Sequence, residues 1–387
     1  MESGNLPRRR LHILLLAEGD PDSQMGSGSG TPASLATGLR NLGHIVTTKD
    51  IEIGGMTRAY IAARTWSPIR ARWVAKYHLS KPAFDARSLN AQRAVKSTPG
   101  VDAVLQYGAT FSAVQNGVPV FLFCDSNTRF SASEPTSWGS ALSRRGLAEA
   151  VSLEGALYSE ARAIFTMSRY IAESFVDDFA VDENSVVAVG AGPNANPIEL
   201  LAIERNGVAE NSSPTILFIG REFERKGGDI LLESFRRIRR TIPDARLVII
   251  GPRDPITLPE GAEWLGFLDR TSAMDWAKLK DSFSSASVFT LPARHEPFGL
   301  VVLEAMYAGL PVVATRIGAL EEMVLDEVTG RLVPPSNVDE LTDALLSVLT
   351  HPSSHMMGLA GRERALSNYS WSRVTETISS FMLDSIN

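Results

Sequence analysis

Arg294-His-Glu-Pro-Phe-Gly-Leu-Val-Val-Leu-Glu-Ala-Met-Tyr-Ala-Gly-Leu-Pro-Val-Val-Ala-Thr315 reads as a loop, a helix and a strand in succession. Pro297 opens the helix, and Gly309 followed by Pro311 closes it, so the predicted span is about Phe298 to Ala308. A short buried strand, Pro311 to Thr315, follows. The helix is apolar nearly all round (Leu300, Val301, Val302, Leu303, Ala305, Met306, Ala308), which places it inside a domain.

Glu304 is the one charge on that helix. A buried carboxylate is costly unless it accepts hydrogen bonds, so a partner must meet it. Glu296 stands just before the helix, and between the two lie Phe298, Gly299 and Leu300, whose helix-start N–H groups can cradle an anion. Carboxylate, anion cradle and carboxylate in a line suit a ligand built as polyol, phosphate, polyol, such as a nucleotide sugar. The plainer alternative has Glu296 complementing a helix dipole and Glu304 paired with an arginine.

Glu-x7-Glu with Pro-Phe-Gly after the first Glu resembles the donor motif of the retaining glycosyltransferases of family 4, the group 1 glycosyl transferases of GT-B fold. The resemblance implies that Glu296 meets donor-sugar hydroxyls and Glu304 the ribose. It is dense across the second half of the chain and only an outline in the first. The expected fold is α/β: two Rossmann-like parallel-sheet domains facing a central cleft.

The 387-residue length is comfortable for two cores, and 44% hydrophobic with 21% charged residues is ordinary globular composition. A single cysteine, Cys124, rules out an internal disulfide and fits a reducing compartment. Leu11 to Ala17 is too short for a signal sequence and reads as the first strand; no run approaches a membrane span. A cytoplasmic protein is expected. Up to Ala195, 19 Lys and Arg face 18 Asp and Glu, a balance of +1, so the remainder carries −7 of the total −6. An acidic total argues against a general nucleic-acid binder.

In the first half, strand Leu11–Ala17, the loop Gly26-Ser-Gly-Ser-Gly-Thr31, helix Pro32–Leu42 and strand Ile45–Thr48 form a β-loop-α-β unit. A glycine-rich loop there lets backbone N–H groups approach a phosphate, which makes Gly28, Gly30 and Thr31 donor-binding candidates. By resemblance this loop closes over the donor diphosphate and the acceptor. Asp20-Pro21-Asp22 spells a metal-binding D-x-D, yet such letters usually mark a turn, and the suggested fold implies no metal. Asp125, at the end of strand Val118–Phe123, stands where many family members carry a sugar-contacting His and is the candidate substitute.

From Arg58 to Lys96 nine cations face one acid, Asp85. Ser67-Pro68 reads as a helix start that sets Ile69, Trp73 and Tyr77 at helical spacing. Such a segment can lie on an anionic membrane, pack as an ordinary helix, or serve an anionic acceptor.

Leu147–Arg162 reads as a helix, Ala163–Met167 as a strand, Ser168 as the cap of the next helix and Val186–Val189 as the last strand of the first domain. The turn-rich run from Gly192 to Pro214 is the expected linker. Expected domains are 1–195, binding acceptor, and 196–369, binding nucleotide sugar, with helix 370–387 crossing back. In the second, Arg221 and Lys226 flank a strand end and a helix start, where two cations can hold a diphosphate. The resemblance implies that they neutralise the leaving diphosphate, and that Phe267 and Leu268 lie near the base.

The implied function is retaining transfer of a sugar from a UDP- or GDP-sugar to an acceptor hydroxyl, without cofactor or metal. The rivals are a silent nucleotide-sugar-binding protein and a GT-B epimerase; a phosphorylase would need a pyridoxal-phosphate lysine.

Overall fold

A computed structural model describes residues 9–23, 30–115, 117–133, 139–205, 213–253 and 256–386. The chain divides into two compact units, Met1–Gly190 with Trp371–Asn387, and Ala191–Ser370. The division falls just ahead of the sequence-based boundary at 195.

The first unit holds β1 (His12–Ala17), β2 (Ile45–Asp50), β3 (Ala103–Tyr107), β4 (Val120–Cys124), β5 (Ala163–Thr166) and β6 (Val186–Ala188). They lie in the order β2-β1-β3-β4-β5-β6, every neighbour parallel. β3 and β4 are buried along their whole length, which is why they read as unbroken apolar runs rather than alternating ones. Helix Arg144–Glu160 starts slightly before the sequence reading because Ser143 caps it, accepting from Gly146 N–H. Ser168 likewise caps Arg169–Phe179.

The last helix, Trp371–Ile386, belongs to this unit and packs against helix Thr31–Asn41. Contact there is close enough that a Cβ on Gly38 would lie 2.6 Å from Thr375 Oγ1. Phe381 stands edge-on to Phe165 and Phe121, at centroid distances of 5.6 and 6.5 Å. His44, buried, receives the Leu11 N–H on Nδ1 (3.2 Å) and so presents Nε2–H to Ser379 Oγ (2.7 Å).

The second unit holds β7 (Thr215–Ile219), β8 (Arg246–Ile250), β9 (Ala262–Gly266), β10 (Val288–Leu291), β11 (Val312–Thr315) and β12 (Gly330–Val333). Their order is β12-β11-β10-β7-β8-β9, again all parallel. Strand order reverses between β7 and β10, so the carboxyl ends of these two strands flank the crevice where open α/β sheets bind ligands. In the first sheet the equivalent point falls between β1 and β3.

The central helix runs Leu300–Tyr307, shorter than the span read from Pro297 and Gly309. Gly299 explains the difference: its φ of 94° is left-handed, so the chain turns into the helix only after it. The first free helical amides are therefore those of Leu300 and Val301, while Phe298 lies outside the helix, buried against Tyr369.

Candidate functional site

Everything that converges at the second switch point comes from two loops. After β7, the turn from Arg221 to Lys226 leads into helix Gly228–Thr241; after β10, the segment Pro292–Pro297 leads to the central helix. Gly227 lets the loops touch. Its φ is 75°, and a Cβ there would sit 1.9 Å from Pro292 O, so no side chain fits. Arg294 pins the second loop to the first, with Nη1 and Nη2 each donating to the Asp229 carboxylate at 2.7 Å and its own N–H to Arg225 O at 2.9 Å.

Glu296 lies in the resulting corner with its side chain 10% exposed. Lys226 Nζ is 3.1 Å from Oε2 and Arg225 Nη1 3.7 Å. Burial pushes the carboxyl up, but Lys226 and then Arg225 outweigh it and hold Glu296 below the ordinary range. Among the described residues, Oε2 accepts no well-directed hydrogen bond. Glu296 is thus an ionised, largely buried acceptor with capacity to spare. Arg225 is spent elsewhere as well: Nε donates to Glu222 (2.8 Å) and Nη1 to His295 O (2.6 Å).

Arg221 is exposed and, among the described residues, has no carboxylate partner; its guanidinium lies 5.9 Å from the Phe267 ring centroid. Arg253 approaches the same ring at 4.8 Å. Leu268 beside it is buried.

Glu304 is 1% exposed and already partnered. Arg270, from the loop between β9 and helix Ala273–Ser285, donates Nη1 and Nη2 to its two oxygens at 2.5 and 2.6 Å, and Ala195 N–H adds a bond at 3.3 Å. The arginine alternative raised by the sequence therefore describes Glu304 in this structure, and a ribose reaching it must share or displace Arg270.

The first sheet gathers its own polar groups at the carboxyl ends of its strands. Asp125, after β4, is exposed and accepts from Tyr107 Oη at 3.4 Å. Glu18, after β1, meets Arg87 Nε at 2.6 Å, His78 Nδ1 at 3.8 Å and the Thr110 hydroxyl. Burial raises Glu18, but His78 and Arg87 outweigh that and leave it lowered. Behind them Glu154 takes the Thr128 N–H (2.9 Å) and hydroxyl (2.6 Å); burial nonetheless pushes it up to about 7. Gly30 and Thr31 open helix Thr31–Asn41, Thr31 fully buried, whereas Gly28 and the rest of 24–29 lie outside the described residues. Asp22 is taken up by Arg40 at 2.8 Å and by the Thr48 hydroxyl, a turn role. Among the described residues no group of three His, Cys, Asp or Glu could hold a metal ion.

Arg225, Arg253, Arg270 and the Glu18–Arg87 pair escape the sequence reading. Glu18 was within its reach, because it ends a strand as Asp125 does. Arg270 was not, being 34 residues from its partner.

Fold and switch-point geometry define a class: two doubly wound α/β units, the GT-B arrangement. A solved sucrose-phosphate synthase from Thermosynechococcus elongatus superposes with a TM-score of 0.68 at 20% identity, covering 96% of this chain and 98% of that one. Residues 213–351 match the model described as Glycosyl transferases group 1. A GDP-mannose-dependent α-(1-6)-phosphatidylinositol monomannoside mannosyltransferase of Mycolicibacterium smegmatis is 36% identical over 180 residues, 43% of this chain and 47% of the relative. A D-inositol 3-phosphate glycosyltransferase of Segniliparus rotundus is 30% identical over 230 residues, 56% and 51% respectively. The chain spans about half the length of these curated relatives.

Proposed function

We propose that this protein is a retaining glycosyltransferase that moves a sugar from a nucleoside-diphosphate sugar, UDP- or GDP-linked, to an acceptor hydroxyl without a metal. One observation carries the reading: Glu296, ionised and short of hydrogen bonds, beside Lys226 at the switch point of the second sheet. The group 1 match over 213–351 and the mannosyl- and inositol-phosphate-directed relatives support it.

In this reading the donor sugar's hydroxyls donate to Glu296. Lys226, the unpaired Arg221 and the free amides of Leu300 and Val301 face the diphosphate. Charge that builds on the leaving phosphate is then met by preorganised donors, which usually supply the largest catalytic term. The bond from the anomeric carbon to the phosphate oxygen breaks, leaving an oxocarbenium-like sugar. The acceptor oxygen bonds to the same face, and its proton passes to the departing phosphate. Glu304 holds the ribose once Arg270 yields or shares it, with Phe267 and Leu268 beside the base. Asp125 meets acceptor or donor hydroxyls, and Gly30 and Thr31, from the glycine-rich loop, serve the donor diphosphate, with Gly28 outside the described residues.

Contact with an anionic membrane is part of the proposal. Met56, Tyr60, Trp66, Ile69 and Val74 are exposed among Arg58, Arg64, Arg70 and Arg72, the mixture that suits a headgroup layer. Trp73 and Tyr77 are not part of that face: Trp73 Nε1 donates to Ala62 O at 2.9 Å, and Tyr77 packs on the Ile53, Ile61 and Ala83 cluster. Among the described residues no helix is long and apolar enough to cross a membrane.

The rival reading, a silent nucleotide-sugar-binding protein, draws on Arg270 already filling Glu304. Incubating the protein with UDP-, GDP- and ADP-sugars and following nucleotide release separates the two. Release from one donor, lost in Glu296→Ala, supports transfer. Tight binding with no release, even across an acceptor screen, supports the rival.

A further inference from the structure

Three strand ends of the second sheet meet around one ring. Gly220 N–H donates to Ile250 O and Gly251 N–H to Gly266 O, each at 2.8 Å, so the chain leaves β7, β8 and β9 side by side. Arg221, Arg253 and Phe267 follow those three exits. Trp264, on β9, donates its Nε1–H to Pro252 O at 3.1 Å and so holds the backbone just ahead of Arg253. Phe267 is half-buried, and the next residue, Leu268, is buried.

Arg253 is exposed, and its guanidinium lies over the Phe267 ring at 4.8 Å, nearer than that of Arg221 at 5.9 Å. A guanidinium over a ring spends its flat face there and keeps its five N–H donors, which lie in its plane. Among the described residues those of Arg253 meet no hydrogen-bond acceptor and no carboxylate, and no role above uses them. The two arginines also differ in place. β7 borders the switch point, where Lys226 and Glu296 meet, whereas β8 lies one strand further out. Arg221 is therefore the cation on the diphosphate side, and Arg253 stands with Phe267 on the outer side.

We infer that Arg253 reads the base of the donor through paired N–H groups and selects guanine. This rests on the function proposed above, which sets the base beside Phe267, and adds both the identity of the base and the side chain that reads it. Guanine offers two adjacent acceptors, O6 and N7, at the spacing of an arginine fork. Adenine sets an amine donor beside N7, and uracil carries only O4 on the matching edge, so either base leaves an N–H of the fork unpaired. A site built to hydrogen-bond a group rejects the analogue that lacks it. Lysine in the same place would supply charge without the fork.

The test titrates GDP, UDP and ADP into the full chain by calorimetry and repeats the titrations in Arg253→Ala and Arg253→Lys. The parent should hold GDP at least about tenfold more tightly than UDP or ADP. Arg253→Ala should lose about tenfold for GDP and stay within about twofold for UDP, and Arg253→Lys should behave as the alanine variant does. 7-Deaza-GDP, which lacks the N7 acceptor, should bind the parent more weakly than GDP does and bind Arg253→Ala equally well. Equal affinity of the parent for GDP and UDP overturns the inference and leaves the transferase reading standing. So does a guanine preference that persists in Arg253→Ala, which would place the reading of the base elsewhere. An equal loss for GDP and UDP in Arg253→Ala, restored by lysine, also overturns it, because Arg253 would then act on the diphosphate as a charge. Binding of none of the three nucleotides overturns the transferase reading and this inference with it. Circular dichroism melts of both variants separate lost binding from lost folding.

Discussion

Removing Arg270 tests how Glu304 is kept in the second unit. Arg270→Ala deletes the bidentate pair at 2.5 and 2.6 Å and leaves a carboxylate that is 1% exposed with one long bond, from Ala195 N–H at 3.3 Å. Breaking a buried pair by removing one partner costs about 3–5 kcal/mol. Arg270 is itself 29% exposed, so water can follow it out and the lower end, about 3 kcal/mol, is expected. That corresponds to about a hundredfold in an opening equilibrium. Because a two-unit chain need not unfold in one step, native-state hydrogen exchange of the central helix, Leu300–Tyr307, is the suitable assay. Protection there should fall about a hundredfold. In Arg270→Ala/Glu304→Gln the loss should be smaller, since a neutral amide needs no counter-charge, and the two changes should be strongly non-additive. Protection within about threefold of the parent in the single variant would refute the claim that Glu304 depends on Arg270.

Three further outcomes are expected. Gly227→Ala forces a Cβ to within 1.9 Å of Pro292 O at a φ of 75°, so it should cost at least about 2 kcal/mol and lower the melting temperature of the second unit, read by calorimetry. Burial, with Arg10 adding to it, holds His44 below the ordinary histidine range, so the folded chain binds this proton less readily than the unfolded one. Its contribution is present above the unfolded value, about 6.5, and is lost as pH falls from there through the folded value. The melting temperature should drop between pH 7.5 and 5.5 (roughly the range straddling that value), and less so in His44→Gln. Chelation with EDTA should leave nucleotide release unchanged, and a loss restored by added magnesium would refute metal-independent transfer.

Much of the architecture is legible because its signals are local. Buried parallel strands write themselves as apolar runs such as Val120–Cys124, and Gly309 with Pro311 marks a helix end that needs no knowledge of the rest. Glu296 and Lys226 are legible for a related reason: each stands where a strand ends or a helix begins. What stays hidden depends on meetings across the chain. Nothing in the spacing links Arg270 to Glu304, or Arg87 to Glu18, because such pairs are made by the strand order rather than by periodicity. Within one turn, too, the sequence cannot choose between Arg221 and Arg225. The turn ahead of Gly227 directs Arg225 toward Glu296 and leaves Arg221 beside Phe267. The start of the central helix is displaced by the left-handed Gly299, a conformation that glycine permits without announcing.

The most direct test of the central claim measures donor binding and nucleotide release side by side in the parent and in Glu296→Ala, using the donor that the parent cleaves. If Glu296 acts on the reacting sugar, binding should stay within about tenfold while release falls by at least about a hundredfold. Release that persists at the parental rate in Glu296→Ala would contradict it.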